Sequence, residues 1–190
     1  MANRLSKIYT RTGDDGTTGM ADGSRVSKAD LRFDAMGSVD LLNSHIGLLR
    51  GYLNNQSELD TLLSQVQHLL FNIGGELAMP EYQGINPSDV TYLEHQIDTW
   101  NTDLPYLKDF ILPAGSLATA QTHVARCHCR DAERVLIKLQ QQDGNVSPIT
   151  LQFINRLSDW LFVLARVVAR LDGGQEVFWD KRVLANLSVE

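Results

Sequence analysis

Two clusters in this 190-residue chain carry residue types suited to holding an anion. The first is continuous, Tyr9 to Lys28: Tyr-Thr-Arg-Thr-Gly-Asp-Asp-Gly-Thr-Thr-Gly-Met-Ala-Asp-Gly-Ser-Arg-Val-Ser-Lys. Its glycines allow positive φ or the close approach of a ligand, and its threonines alternate hydroxyls with backbone N–H donors. Arg11, Arg25 and Lys28 supply positive charge. Asp14 and Asp15 would repel a bare phosphate, so a polyphosphate here implies Mg²⁺ or a carboxylate contact to sugar hydroxyls. The spacing is not that of a Walker loop. A mobile glycine-rich arm is the alternative reading of the same residues.

The second cluster is discontinuous. Arg126, Arg130 and Glu133 return to one helix face at offsets of four and seven, with Arg134 beside them. They read either as a surface ion-pair ladder or as a polyphosphate clamp built on the forked donors of arginine. A third group, Met36, Gly37, Asp40, Asn43, Ser44 and Gly47, makes a helix face of small and polar residues with Asp40 at its centre. A solvated face is the alternative, but such faces usually carry long charged side chains, which favours an interface or a site here.

Other chemistries find little support. A carboxylate-bridged di-iron bundle needs Glu-x-x-His on two helices, and none of the five histidines follows a glutamate at that spacing. No Ser-His or Cys-His constellation suggests a nucleophile with its base. Cys127 and Cys129 sit two apart in a helical pattern, point to opposite sides, and read as two small buried thiols in a reducing compartment.

The composition is that of one globular domain, 43% hydrophobic and 21% charged. A net charge of −6 argues against a nucleic-acid or anionic-membrane surface, so any anion site must be local. The longest apolar run, Trp160 to Ala165, is too short to span a bilayer, and Met1 to Lys7 lacks the apolar core of a signal peptide. A cytoplasmic location is expected.

The elements that must position these residues are helices. Ser27 and Asp30 have capping-box spacing before a first helix with Ala35, Val39, Leu42, Ile46, Leu49 and Leu53 on one stripe. Ser57 and Asp60 repeat the signal before a second, with Leu59, Leu63, Val66, Leu70, Ile73 and Leu77, ending near Met79-Pro80. Gly74-Gly75 within it implies close packing by a neighbour. Asn86-Pro87-Ser88 opens a third helix carrying Val90, Leu93, Ile97 and Trp100. A connection from Asn101 to Gly115 contains Phe110-Ile-Leu-Pro, which is either pinned into the core or used against a ligand. The fourth helix is expected over Ser116 to Gln142, burying Leu117, Val124, Ala132, Val135, Leu136 and Leu139. Ser147 and Pro148 start a fifth, reaching Leu171, apolar on several faces and therefore the most buried. Asn155, Ser158 and Asp159 interrupt it and require partners. Gly173-Gly174 ends it, and Val177 to Glu190 reads as a tail.

Taken together, five stretches resemble the PduO-type ATP:cob(I)alamin adenosyltransferases. They are the loop Tyr9 to Gly19, Gly37-Ser-Val-Asp-Leu-Leu-Asn-Ser, Phe110-Ile-Leu-Pro-Ala-Gly, Ala125-Arg-Cys-His-Cys-Arg-Asp-Ala-Glu-Arg and Phe153-Ile-Asn-Arg-Leu-Ser-Asp-Trp-Leu-Phe. The resemblance covers nearly the whole chain, in order. It implies an all-α, up-and-down five-helix bundle, four-helix-bundle-like, forming a homotrimer with ATP and the corrinoid at subunit interfaces. The domain would be single, with residues 1–29 as the ATP-binding loop, 30–172 as the bundle and 173–190 as the tail. It implies transfer of the adenosyl group of ATP to cobalt, with triphosphate leaving.

The resemblance also assigns roles. Thr10, Arg11, Thr12, Gly13, Thr17 and Thr18 would form the ATP loop, with Lys28 on the phosphates; Arg130, Glu133, Arg134 and Asn155 would complete the nucleotide site. Asp40 and Arg126 would pair across the subunit boundary, and Phe110 would lie near the corrinoid's lower face. Two positions depart from the family pattern. Asp131 stands where many members have a basic residue, weakening the positive field, and Ala114 stands where many have glycine.

The implied chemistry suits these residues. Co(I) is already a strong nucleophile, so the demand is stabilisation of the departing triphosphate by fixed cations, backbone donors and Mg²⁺. An apolar wedge at Phe110 would keep water and the corrinoid's own base from the lower axial position, easing reduction of Co(II). Further partners would be a reductase and an adenosylcobalamin-dependent enzyme. The competing readings are an ATP- and corrinoid-binding sensor or delivery module without efficient transfer, and an oligomeric scaffold with a floppy arm.

Overall fold

The apolar stripes become five α-helices, preceded by a small β-hairpin, in a computed structural model that describes residues 8–53, 56–79, 81–171 and 173–186. Strands β1 (Thr17–Gly19) and β2 (Arg25–Ser27) pair antiparallel, with Thr18 opposite Val26. The helices are α1 (Leu31–Tyr52), α2 (Ser57–Ala78), α3 (Pro87–Asp103), α4 (Leu117–Asp143) and α5 (Pro148–Leu171), followed by a 3-10 helix at Lys181–Asn186. Met1 to Lys7, Pro80, Asp172 and the end of the expected tail at 187–190 lie outside the described residues.

Neighbours pack in the order α2, α1, α4, α5, α3. Cross-contacts give their directions. Asn43 meets Gln67 and Arg50 meets Asp60, so α1 and α2 run antiparallel. Glu94 meets Arg156 and Trp100 meets Trp160, so α3 and α5 run parallel. That is the alternation expected of an up-and-down bundle.

The expected stripes of α1 and α2 are buried in full, and α5 is buried almost all round, from Phe153 through Trp160 to Val168. The fourth helix departs from expectation. Leu117 and Val124 are 72% and 39% exposed, while Ala118, Thr122, Ala125, Cys129, Ala132 and Leu136 face the core. Over its first turns α4, wedged between α1 and α5, presents small side chains to the core and turns Leu117 and Val124 off it; large ones, Leu136 and Leu139, are buried only toward its end. Cys127 is likewise exposed, whereas Cys129 is buried and donates its thiol to the Ile154 carbonyl.

Two caps also differ. Ser27 is taken up by β2, so Asp30 caps α1 alone, its carboxylate accepting from Arg32 N at 2.9 Å. In α2 the N-cap is Gln56, without a side-chain bond, because Asp60 turns to Arg50 in a bidentate pair at 2.7 and 3.0 Å. Where no tertiary partner competes, local signals hold: Asn86 and Asp89 form a capping box on α3, and Ser116 caps α4, which Gly144 closes with φ 68°. Buried Glu76 ties α2 to the chain around it, accepting from the amides of Gly84 and Ile85 and from the Thr150 hydroxyl.

The segment expected as a tail is partly built into the fold. Ile111 and Phe178 form an antiparallel bridge, flanked by Leu112 N to Val177 O at 2.7 Å and Trp179 N to Phe110 O at 2.8 Å. Among the described residues, no helix is long and apolar enough to cross a membrane.

Candidate active site

The loop before the hairpin is closed by its own cations. Lys28 Nζ donates to Gly13 O at 2.7 Å, and Arg25 donates to the Thr12 carbonyl and to the Thr17 hydroxyl. A Cβ on Gly13 would stand 3.0 Å from both Lys28 Nζ and the Thr17 carbonyl, so glycine is what lets the lysine tuck beneath the turn. Asp15 accepts from the Thr17 amide and hydroxyl at 2.9 and 2.8 Å and lies 3.7 Å from Arg25. Those Thr17 bonds, with Arg25 helping, hold its carboxyl below the usual range. Asp15 therefore shapes the loop, while exposed Asp14 has no hydrogen-bond partner among the described residues. Thr10 and Thr12 share a hydroxyl contact at 2.9 Å, and Arg11, with φ 60°, lies over the Tyr9 ring.

On α4 the predicted face is present. Asn155 of α5 donates to Glu133 Oε1 at 2.9 Å, joining two of the predicted residues and orienting the carboxylate. Exposed Arg130 has no hydrogen-bond or ion-pair partner among the described residues. Arg134 is instead engaged by Asp131, which also lies 4.0 Å from His128. The unusual aspartate thus neutralises one cation of this face. Arg126 Nε approaches His123 Nδ1 at 3.4 Å, and burial, with the Arg126 charge adding to it, lowers the pKa of His123 to about 4.

Asp40 lies in a groove of about 470 Å³ between α1 and α2, with Met36, Gly37, Asn43, Phe71 and Gly74 among its walls. The expected close neighbour of the glycine pair exists only for Gly75, which faces the Tyr82 ring; Gly74 opens onto this groove. Asp40 has no ion pair among the described residues. Phe110, 84% exposed, stands on the loop between α3 and α4 and is not part of the core.

Within the single chain these parts stay separate. No described hydrogen bond or ion pair joins the loop 10–18 to Arg130, Glu133, Arg134 or Asn155, nor Asp40 to Arg126. The chemistry on offer is fixed cations and backbone donors around an anion. Cys129 is no nucleophile, since burial pushes its thiol far upward.

A family profile for cobalamin adenosyltransferase matches residues 8–168. The chain belongs to that family. Among cobalamin adenosyltransferases it is 50% identical over 182 residues to one from Cupriavidus metallidurans, covering 95% of this chain and 98% of that protein. It is 41% identical to the corrinoid adenosyltransferase of Mycobacterium leprae, covering 94% and 98% of the two chains. In structure it is similar to a phenylalanine-to-alanine variant of a PduO-type ATP:corrinoid adenosyltransferase from Lactobacillus reuteri complexed with cobalamin and ATP. The TM-score is 0.87 at 34% identity, over 92% of this chain and 100% of that one. An arginine-to-lysine variant of the L. reuteri protein complexed with ATP matches with TM-score 0.85 at 34% identity, over 92% of this adenosyltransferase family member and 100% of the variant.

Sequence reasoning on this adenosyltransferase overlooked Asp15 as a loop brace and His123 beside Arg126. Neither carries a motif; each acts through a contact that forms only when loop or helix is folded.

Proposed function

We propose that this chain transfers the 5′-deoxyadenosyl group of ATP to the cobalt of cob(I)alamin, giving adenosylcobalamin and triphosphate, at sites shared between protomers of a homotrimer. The observation that carries the reading is the division of the cationic groups. One protomer presents the Gly13 loop with Lys28 and, elsewhere, the Arg130, Glu133 and Asn155 face, and no described bond joins them. A nucleotide would be gripped when the loop of one copy meets the helical face of the next.

In that arrangement the Co(I) electron pair attacks the 5′ carbon, the C5′–O bond breaks, and its electron pair leaves with triphosphate. No proton transfer is required at the reacting atoms. Lys28, Arg11 and Arg130 neutralise the phosphates, and the amides of the loop from Thr12 to Thr18 donate to them. Glu133, held by Asn155, accepts from a ribose hydroxyl. Arg126, steadied by His123, pairs with Asp40 of a neighbouring copy and closes the corrinoid side. Phe110 occupies the space below the corrinoid. Mg²⁺ would arrive with the phosphates, with Asp14 as the loop carboxylate open to it. The free thiols suit a reducing, cytoplasmic setting.

The test is anaerobic turnover of chemically reduced cobalamin with MgATP, followed by the visible spectrum and by photolysis of the cobalt–carbon bond, in wild type and Arg130→Ala. Product from wild type and its near loss in the variant are expected. ATP binding without product would instead identify a sensor or delivery module.

A further inference from the structure

Phe110 is almost fully exposed, yet the backbone beneath it is held at several points. The loop between α3 and α4 carries no regular structure of its own, and what fixes it is the chain that follows α5. Leu112 N donates to Val177 O at 2.7 Å and Trp179 N to Phe110 O at 2.8 Å, with Ile111 opposite Phe178. A two-strand contact this short is marginal by itself in water.

One carboxylate anchors the second strand of this contact to α5. Glu176, immediately before Val177, inserts a side chain only 5% exposed between two arginines of α5. Arg166 Nε donates to its Oε1 at 2.9 Å, while Arg170 donates to Oε1 at 2.7 Å and to Oε2 at 2.9 Å. Arg166 is itself only 5% exposed, and its Nη2 donates to Pro105 O at 2.5 Å. One arginine on the most buried helix therefore holds both the entry of the Phe110 loop and the segment that pairs with its middle. A buried ion cluster is rarely the most stabilising use of core positions, and its best-attested use is to fix one alignment of the segments it joins. Alignment matters here because a slip of one residue in an antiparallel pair turns each side chain to the opposite face.

We propose that Arg166 and Glu176 are positioning residues for Phe110, setting the height and facing of the aromatic through the backbone bridge between the two segments. This rests on the reading of Phe110 as the group below the corrinoid.

The test uses the full-length assembled enzyme with Glu176→Ala, and with Trp179→Pro, which removes the N–H that reaches Phe110 O while leaving the ion cluster intact. The first readout needs no corrinoid: amide hydrogen exchange in peptides spanning 105–116 and 175–183. Exchange at Leu112 is expected to rise in both variants. The second is the spectrum of bound Co(II)cobalamin with MgATP, where the fraction lacking a lower axial ligand should fall in both variants. Turnover at saturating cobalamin should fall about tenfold, a fold-change that corresponds to about 1.4 kcal/mol, while the KM for ATP stays within about twofold. Because the effect runs through Phe110, adding Glu176→Ala to Phe110→Ala should cost nothing further. Unchanged exchange at Leu112, or losses that multiply in the double variant, would overturn the positioning role. If Phe110→Ala itself leaves the Co(II) spectrum as in wild type, the assignment of Phe110 fails and the positioning role with it, while the exchange result still reports whether the tie exists.

Discussion

Asn155 on α5 holds the carboxylate of Glu133 on α4 at 2.9 Å through Oε1, and the other oxygen has no hydrogen-bond partner among the described residues. A charge-assisted hydrogen bond contributes about 1.5–3 kcal/mol. Asn155→Ala should raise the KM for ATP about tenfold and leave affinity for cobalamin unaltered. Steady-state kinetics with each substrate varied in turn checks this, and an equal effect on both would remove the pair from the nucleotide site.

Gly13 has no room for a side chain, with Lys28 Nζ and the Thr17 carbonyl each 3.0 Å from the position of a Cβ. The lysine end can move, but the carbonyl belongs to β1 and cannot move alone. Gly13→Ala should therefore displace Lys28 and weaken ATP binding by about tenfold or more in calorimetry. The melting temperature should stay within about 2 °C, because the loop lies outside the helical core. A large drop in melting temperature would make this glycine structural.

Asp131 engages Arg134 on the exposed side of α4. Exposed pairs contribute about 0–1 kcal/mol, so Asp131→Ala should hardly alter stability. It should nevertheless free a cation beside Arg130 and tighten ATP binding about threefold at low ionic strength, with the gain fading in high salt. Calorimetric titration at two salt concentrations decides the matter, and weaker binding in the variant would contradict it.

Stability should fall on acidification in two successive windows that meet near pH 4. Burial, with Arg126 adding to it, lowers His123 from 6.5 to about 4, so its contribution is complete above 6.5 and is lost as pH falls toward 4. For Glu176 burial acts upward, but the hydrogen bonds from Arg170 and Arg166 outweigh it and bring the carboxyl from 4.5 to about 2. That contribution is complete above 4.5 and is lost as pH falls toward 2. Each is of order 3 kcal/mol by linkage. Urea midpoints measured against pH should flatten in the upper window for His123→Gln and in the lower one for Glu176→Gln. Wild-type slopes in both variants would refute the assignment.

Much of this was legible before folding, and for a physical reason. Period and spacing are local properties, so the stripes of α1, α2 and α5 and the alignment of Arg126, Arg130 and Glu133 follow from helix geometry alone. The small, polar face centred on Asp40 is legible in the same way; the family pattern added its pairing with Arg126 and the role of Phe110, which no periodicity marks. What tertiary structure decided is which of several available partners each group takes. Asp60 could cap α2 but finds Arg50; Asp15 could meet a metal but braces Thr17; Leu117 is apolar but faces outward, because the first turns of α4 put Ala118, Thr122 and Ala125 against the core instead. The partnership of Glu176 with Arg166 and Arg170, and through it the placement of Phe110, joins the chain after α5 to the loop before α4. Such a tie between segments far apart in sequence has no local signature, since its energy exists only when the bundle has brought both to one end of α5.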